Sequence, residues 1–138
     1  MIMDKIISVI LFCESRYPVN RKSIRKTIEA VLGERSISGS IEVSVSIVGD
    51  RKMRSLNKKY RGKLETTDVL SFSQVEGEIS AKKLKNVSYP DGVLRLGDIV
   101  ISFPQARKNA VKKEVLVDEE INFLIGHGLL HLLGIHHE

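Results

Sequence analysis

The stretch SIEVSVSIV, residues 40–48, constrains the fold more than any other part of the chain. Ile41, Val43, Val45 and Ile47 alternate with polar neighbours, the two-residue period of a strand with one buried face. Ahead of it, the apolar run over residues 5–12 reads as a buried first strand. Between the two, Asn20 is placed to cap a helix over 21–32. Its Ile24, Ile28, Val31 and Leu32 share one face, and Gly33 closes it. A strand–helix–strand order implies a right-handed crossover and a parallel strand pair.

The same reading continues down the chain. Asp50 is expected to cap a second helix carrying Met53, Leu56 and Tyr60, with Tyr60 on its core side. Val69 to Phe72 reads as a third strand, and a long polar segment leads to the turn signal Tyr89-Pro90-Asp91-Gly92. Leu94 to Ile101 reads as a fourth strand. Ser102 and Gln105 resemble a capping box around Pro104, opening a third helix. A last helix starts near Asp118, with Glu119 and Glu120 favourable to its dipole, and runs to about Gly134. The expectation is one domain over residues 1–138, of α+β class, with a small mixed sheet of about four strands packed with helices. A chain this long buries roughly 70% of its unfolded surface, so it needs no disulfide or other staple.

Lysine and arginine total 22 against 17 acidic residues, a formal +5, which suits an anionic partner such as nucleic acid. The lone Cys13 has no disulfide partner within the chain, and its apolar neighbours suggest a buried, inert thiol. The run Ile6 to Phe12 is too short to span a bilayer and lacks the marks of a signal peptide. These features lead to the expectation of a cytoplasmic protein with no membrane partner.

All four histidines lie near the end of the sequence, in HGLLHLLGIHH, residues 127–137. On a helix, His127 and His131 are about 400° apart, so their imidazoles lie within about 40° of each other, a spacing for two ligands of one metal. Gly134 can end the helix in the left-handed conformation and bring His137 back toward the pair. Three neutral imidazoles and an open fourth position describe a catalytic zinc site, and other divalent metals also accept imidazole. Gly128 stands where a zinc protease of this spacing keeps its catalytic glutamate, which argues against peptide hydrolysis by that route. Gly126 and Gly128 each cost about 1 kcal/mol relative to alanine inside a helix. Either close helix–sheet packing or clearance beside the metal would account for them.

These residues resemble the signature of the YbeY family of metal-dependent endoribonucleases, H-G-x-L-H-L-x-G-[YH]-D-H. Leu56-Asn57, Tyr60-Arg61 and Thr67-Asp68-Val69-Leu70-Ser71-Phe72 are similar to a second family segment. Leu96-Gly97-Asp98-Ile99-Val100-Ile101-Ser102 is similar to a third. The resemblance implies one zinc ion on His127, His131 and His137, and a functional arginine at Arg61. It further implies cleavage of single-stranded RNA, with the ribosomal RNA of the small ribosomal subunit, at its 3′ end, as substrate and ribosome quality control as a role. The family aspartate before the last histidine is His136 here, which removes a carboxylate and adds a rival ligand. Spacing favours His137 over His136, and the chain stops at Glu138, where family members often continue.

The chemistry of this set is coherent. Zinc can polarise a phosphoryl oxygen and acidify a bound water, and a guanidinium at Arg61 can pair with two phosphate oxygens at once. The nucleophile could equally be the ribose 2′-hydroxyl. Arg51, Lys52, Arg54 and the run Lys58 to Lys63 could follow an RNA backbone. Asp68 and Asp98 read as hydrogen-bond acceptors, with Asp68 and His136 candidates to orient a metal ligand, and Ser71 as a polar group of the cleft. Two rivals remain: an RNA-binding ribosome assembly factor with structural zinc, and a zincin-type metalloprotease.

Overall fold

The structure is a computed structural model and describes residues 6–34, 39–74 and 91–135. Its sheet has four strands, β1 (Ile6–Cys13), β2 (Ser40–Val48), β3 (Val69–Ser73) and β4 (Val93–Ser102), in the order β1-β2-β4-β3. The pairs β1–β2 and β2–β4 are parallel, and β3 runs antiparallel along the outer edge of β4. Among the described residues four helices pack on it: α1 (Arg21–Gly33), α2 (Asp50–Arg61), α3 (Phe103–Lys113) and α4 (Val117–Leu132). The α+β class, the mixed sheet and the parallel first pair are those expected. The segment before the turn at Asp91 and Gly92 lies outside the described residues.

The alternation in β2 sets the main core. Ile41, Val43, Val45 and Ile47 meet Ile24, Ile28 and Leu32 from α1 and Ile121, Ile125 and Leu129 from α4. The opposite face of the sheet has a smaller core of Val48, Met53, Leu70 and Val100 beneath α2. Val100 falls between Ile99 and Ile101, which belong to the main core, so β4 is buried on both faces. In β4 a bulge falls between the pairs Glu42–Arg95 and Val43–Gly97. Gly97 has φ +144°, and a Cβ there would run into the carbonyl of Phe72, so only glycine lets β3 close on β4 here.

Two local expectations need correction. The first strand is not buried on both faces: Ile6, Ile10 and Phe12 are exposed, because β1 is an edge strand and the helices among the described residues pack on its other face. Gly33 is the last residue of α1, as expected, and Glu34 takes the capping position with a right-handed backbone. Asp50 does not cap α2. Gly49 holds that position, and the Asp50 carboxylate instead binds Ser102, Thr66 and Gln105. Elsewhere Asn20 accepts from the Ser23 N–H, and Ser102 accepts from the Gln105 N–H, as expected of helix caps. The Gln105 side chain turns to Asp50 rather than closing a capping box.

Candidate active site

The C-terminal helix brings the histidines to the sheet. Acidic Asp118, Glu119 and Glu120 occupy its first turn, complementing the positive end of the helix. At the other end Gly134 is left-handed, with φ +78°. The Gly134 N–H reaches the carbonyl of His131 and that of Ile135 the carbonyl of Leu130, the paired bonds of a Schellman turn. The left-handed helix end expected at Gly134 holds, and the turn fixes the backbone at His131. His136 and His137, with Glu138, lie outside the described residues.

The rings of His127 and His131 stand with centroids 4.7 Å apart at an interplanar angle of 47°. They line a cleft of about 380 Å³ with Arg61, Val69, Leu70, Ser71 and Gly128. Three elements therefore meet there: the end of α2, the edge strand β3 and the last turns of α4. Two adjacent imidazoles on one helical face suit two ligands of one transition metal. Among the described residues no third His, Cys, Asp or Glu joins them. Ser71, a candidate polar group in the sequence, is a wall of this cleft.

Arg61 is the last residue of α2, where the helix dipole favours a cation. Asn57, buried one turn earlier, donates from its amide to the carbonyl of Glu65 at 2.8 Å and accepts from the Lys63 N–H on its backbone oxygen. The loop after Arg61 is thus tied back to its own helix, which holds Arg61 at the edge of the cleft. Arg51, Lys52, Arg54, Lys58 and Lys59 are exposed along the same helix. Tyr60 does not take the core role expected of it: it is 55% exposed and leans on Phe72, with ring centroids 4.9 Å apart.

Asp68 immediately precedes the β3 residues of the cleft. Its carboxylate accepts from Asn109 at 3.0 Å and its backbone carbonyl from the Ser102 N–H at 2.9 Å. The Asn109 amide also donates to Glu120, whose buried carboxylate meets Lys113 at 2.7 Å. A polar chain of Asp68, Asn109, Glu120 and Lys113 thus braces β3, α3 and α4 around the cleft. Asn109 and Lys113 carry no motif, and Glu120 reads in the sequence only as a favourable charge at the start of its helix, so sequence reading missed this polar chain. Asp98 accepts from the Gln74 side chain, an acceptor role as expected.

The two glycines of α4 differ. A Cβ on Gly128 would lie 3.0 Å from Cγ2 of Ile99, so close packing on β4 explains it. A Cβ on Gly126 would meet nothing within 4 Å. Cys13 is half-buried, its thiol donating to the carbonyls of Glu14 and Tyr17. Burial pushes its pKa up, outweighing the pull of Arg21, which suits an inert thiol. No helix among the described residues is long and apolar enough to cross a membrane.

The chain is similar to known proteins over most of its length. The family model for endoribonuclease YbeY matches residues 13–138. An endoribonuclease YbeY of Caldanaerobacter subterraneus is 38% identical over 113 residues, covering 82% of this chain and 72% of that protein. One from Symbiobacterium thermophilum is 34% identical over 131 residues, covering 94% and 79%. The solution structure of a Thermotoga maritima protein shares the fold, with a TM-score of 0.58 at 22% identity over 94% of this chain and 75% of that one. With the histidine pair, the arginine and the sheet that joins them, the match over nearly the whole sequence places this chain in the YbeY endoribonuclease family.

Proposed function

We propose that this member of an endoribonuclease family cleaves single-stranded RNA with one divalent metal ion, zinc in the first instance. The observation that carries the reading is that Arg61, distant in sequence, shares one cleft with His127 and His131. His127, His131 and His137 would hold the ion, His137 on the ground of its spacing. When bound, zinc supplies a Lewis acid for a phosphoryl oxygen and a water acidic enough to attack near neutral pH.

The chain's own residues supply the rest. Arg61 presents parallel N–H donors to two phosphate oxygens and offsets the negative charge that grows there as the bond breaks. Ser71 offers a hydroxyl that can donate or accept at the cleft wall. Gly128 has no proton acceptor, so the glutamate route of zinc proteases is closed. The exposed cations of α2 attract the RNA backbone toward the cleft. The attacking oxygen is either water or the ribose 2′-hydroxyl. The family resemblance extends the proposal to the 3′ end of small-subunit ribosomal RNA as substrate, and so to work on the ribosome in the cytoplasm.

The test is cleavage of a labelled single-stranded RNA by zinc-loaded protein, with bound metal measured for each variant. His131→Ala is expected to lose both metal and cutting. Arg61→Ala is expected to keep the metal and lose about 10²–10³-fold in rate, the usual loss on removing a charge-stabilising donor. A wild type that holds zinc and binds RNA without cutting it would replace this reading with that of an assembly factor.

A further inference from the structure

His127 is also a wall of a second hollow. This one, of about 580 Å³, runs between α1 and α4, with Thr27 and Val31 on one side and Phe123, Gly126 and Leu130 on the other. Phe123 is 59% exposed, whereas Ile121, Leu124, Ile125, Leu129 and Leu132 of the same helix are buried. The Lys113 ammonium, 4.0 Å from the ring centre, holds the ring in place. Gly126 keeps the hollow clear: no neighbour requires a glycine there, yet the helix forgoes the stability of a side chain. Asn122, another wall, has a buried Oδ1 with no hydrogen-bond partner among the described residues.

Thr27 in turn is a wall of a third hollow on α1, where Lys22 and Lys26 stand beside Asn20 and Ser23. His127 and Thr27 thus join three sites in series: a cleft with Arg61, an apolar groove with an aromatic ring, and a basic hollow. A nucleic-acid strand has the same order: phosphate, base, phosphate. Glu34, also in the groove, repels a phosphate and can accept from the amino group of a base.

We infer that the groove between α1 and α4 is a nucleobase subsite. It takes the base of a nucleotide next to the scissile phosphate, stacked on Phe123, while Lys22 and Lys26 take the following phosphate. The inference rests on the ribonuclease reading above and adds which neighbour of the cut is gripped, and by what. Stacking on an aromatic ring is sequence-tolerant, so the subsite senses the presence of a base more than its identity.

The test compares two single-stranded RNA oligonucleotides, one intact and one with an abasic residue beside the cleavage site, on the full metal-loaded chain. Wild type is expected to prefer the intact one in kcat/KM by about tenfold, the size of one base–aromatic stack. In Gly126→Leu, which fills the groove, the preference collapses toward one, mainly through KM. Phe123→Ser, at an exposed position, gives the same collapse without touching the helix packing. Equal cutting of both oligonucleotides by wild type, or an unchanged preference in both variants, overturns the subsite and leaves the ribonuclease reading intact. A KM that falls in Gly126→Leu shows that an open groove does not help the RNA to bind, and also overturns it. If wild type cuts neither oligonucleotide, the ribonuclease reading fails and the subsite fails with it.

Discussion

The hydroxyl of Ser102 donates to the carboxylate of Asp50 at 2.8 Å, and so joins the start of α2 to the cap of α3. Thr66 and Gln105 add bonds of 3.1 Å each to the same carboxylate oxygen. Burial pushes the Asp50 pKa up, but the bonds from Ser102, Gln105 and Thr66, with the charge of Lys108, outweigh it and leave the pKa below its usual value. Stability from such a depressed group is fully present above the unfolded-state pKa, about 3.9, and is lost as pH falls through the folded value. Asp50→Ala should therefore unfold at lower urea, by about 2 kcal/mol near neutral pH, the worth of hydrogen bonds to a charged group. The gap from wild type should narrow below about pH 4 in urea titrations run across pH. A gap that stays constant into acid would show that the carboxylate charge does not matter.

The helical glycines should respond in opposite directions to alanine. In Gly128→Ala the new methyl meets Ile99, which is fully buried, so overpacking of about 2 kcal/mol should exceed the gain in helix propensity of about 1 kcal/mol. In Gly126→Ala only the propensity gain applies, and the protein should become more stable by about 0.5–1 kcal/mol. Urea midpoints of the two variants beside wild type decide the matter. Equal shifts of the same sign would sink the explanation of Gly128 by packing.

Lys113 guards a buried charge. Glu120 is 2% exposed and its carboxylate meets the Lys113 ammonium, itself about half exposed. Lys113→Ala leaves that carboxylate with the Asn109 amide as its side-chain donor among the described residues and should cost about 2 kcal/mol, below the usual range for a fully buried pair because the lysine is wet. The double variant Lys113→Ala, Glu120→Gln should regain part of the loss, which thermal unfolding would show. A double variant no more stable than the single would mean that the unpaired charge is not the cause.

Arg61→Lys separates charge from geometry in the proposed RNA cleavage. Lysine keeps the positive charge but presents a point donor rather than a planar fork. Loss of one charge-assisted bond lowers kcat about 10–100-fold, with bound metal unchanged. Single-turnover cleavage with saturating protein reads this directly. Full activity in Arg61→Lys would reduce the role of Arg61 to general attraction.

What could be read from the sequence was what depends on local period and spacing. The alternation in residues 41–47 and the stop at Gly134 are set within one strand and one helix end, so they show in a linear string. The pairing of His127 with His131 is likewise a property of helical pitch. Arg61 was found only through the family segment around it, because in isolation it is one cation in a basic run. Tyr60 was misplaced because its helical face was shared with Met53 and Leu56, yet β3 is too short and too near the edge to cover it.

The tertiary structure decided everything that needs two distant segments to meet. Asp50 looks like a cap in the sequence, but Ser102, Thr66 and Gln105 compete for its carboxylate once α2 and α3 are packed. Gly126 and Gly128 read alike two residues apart, and only the position of Ile99 on β4 tells them apart. The cleft exists because β3 doubles back along β4 and lays Ser71 between Arg61 and the histidine helix. Local backbone energetics act over a few residues and leave a trace in sequence order. Packing and electrostatics act through space, and the sheet order that sets those distances is not written in any single segment.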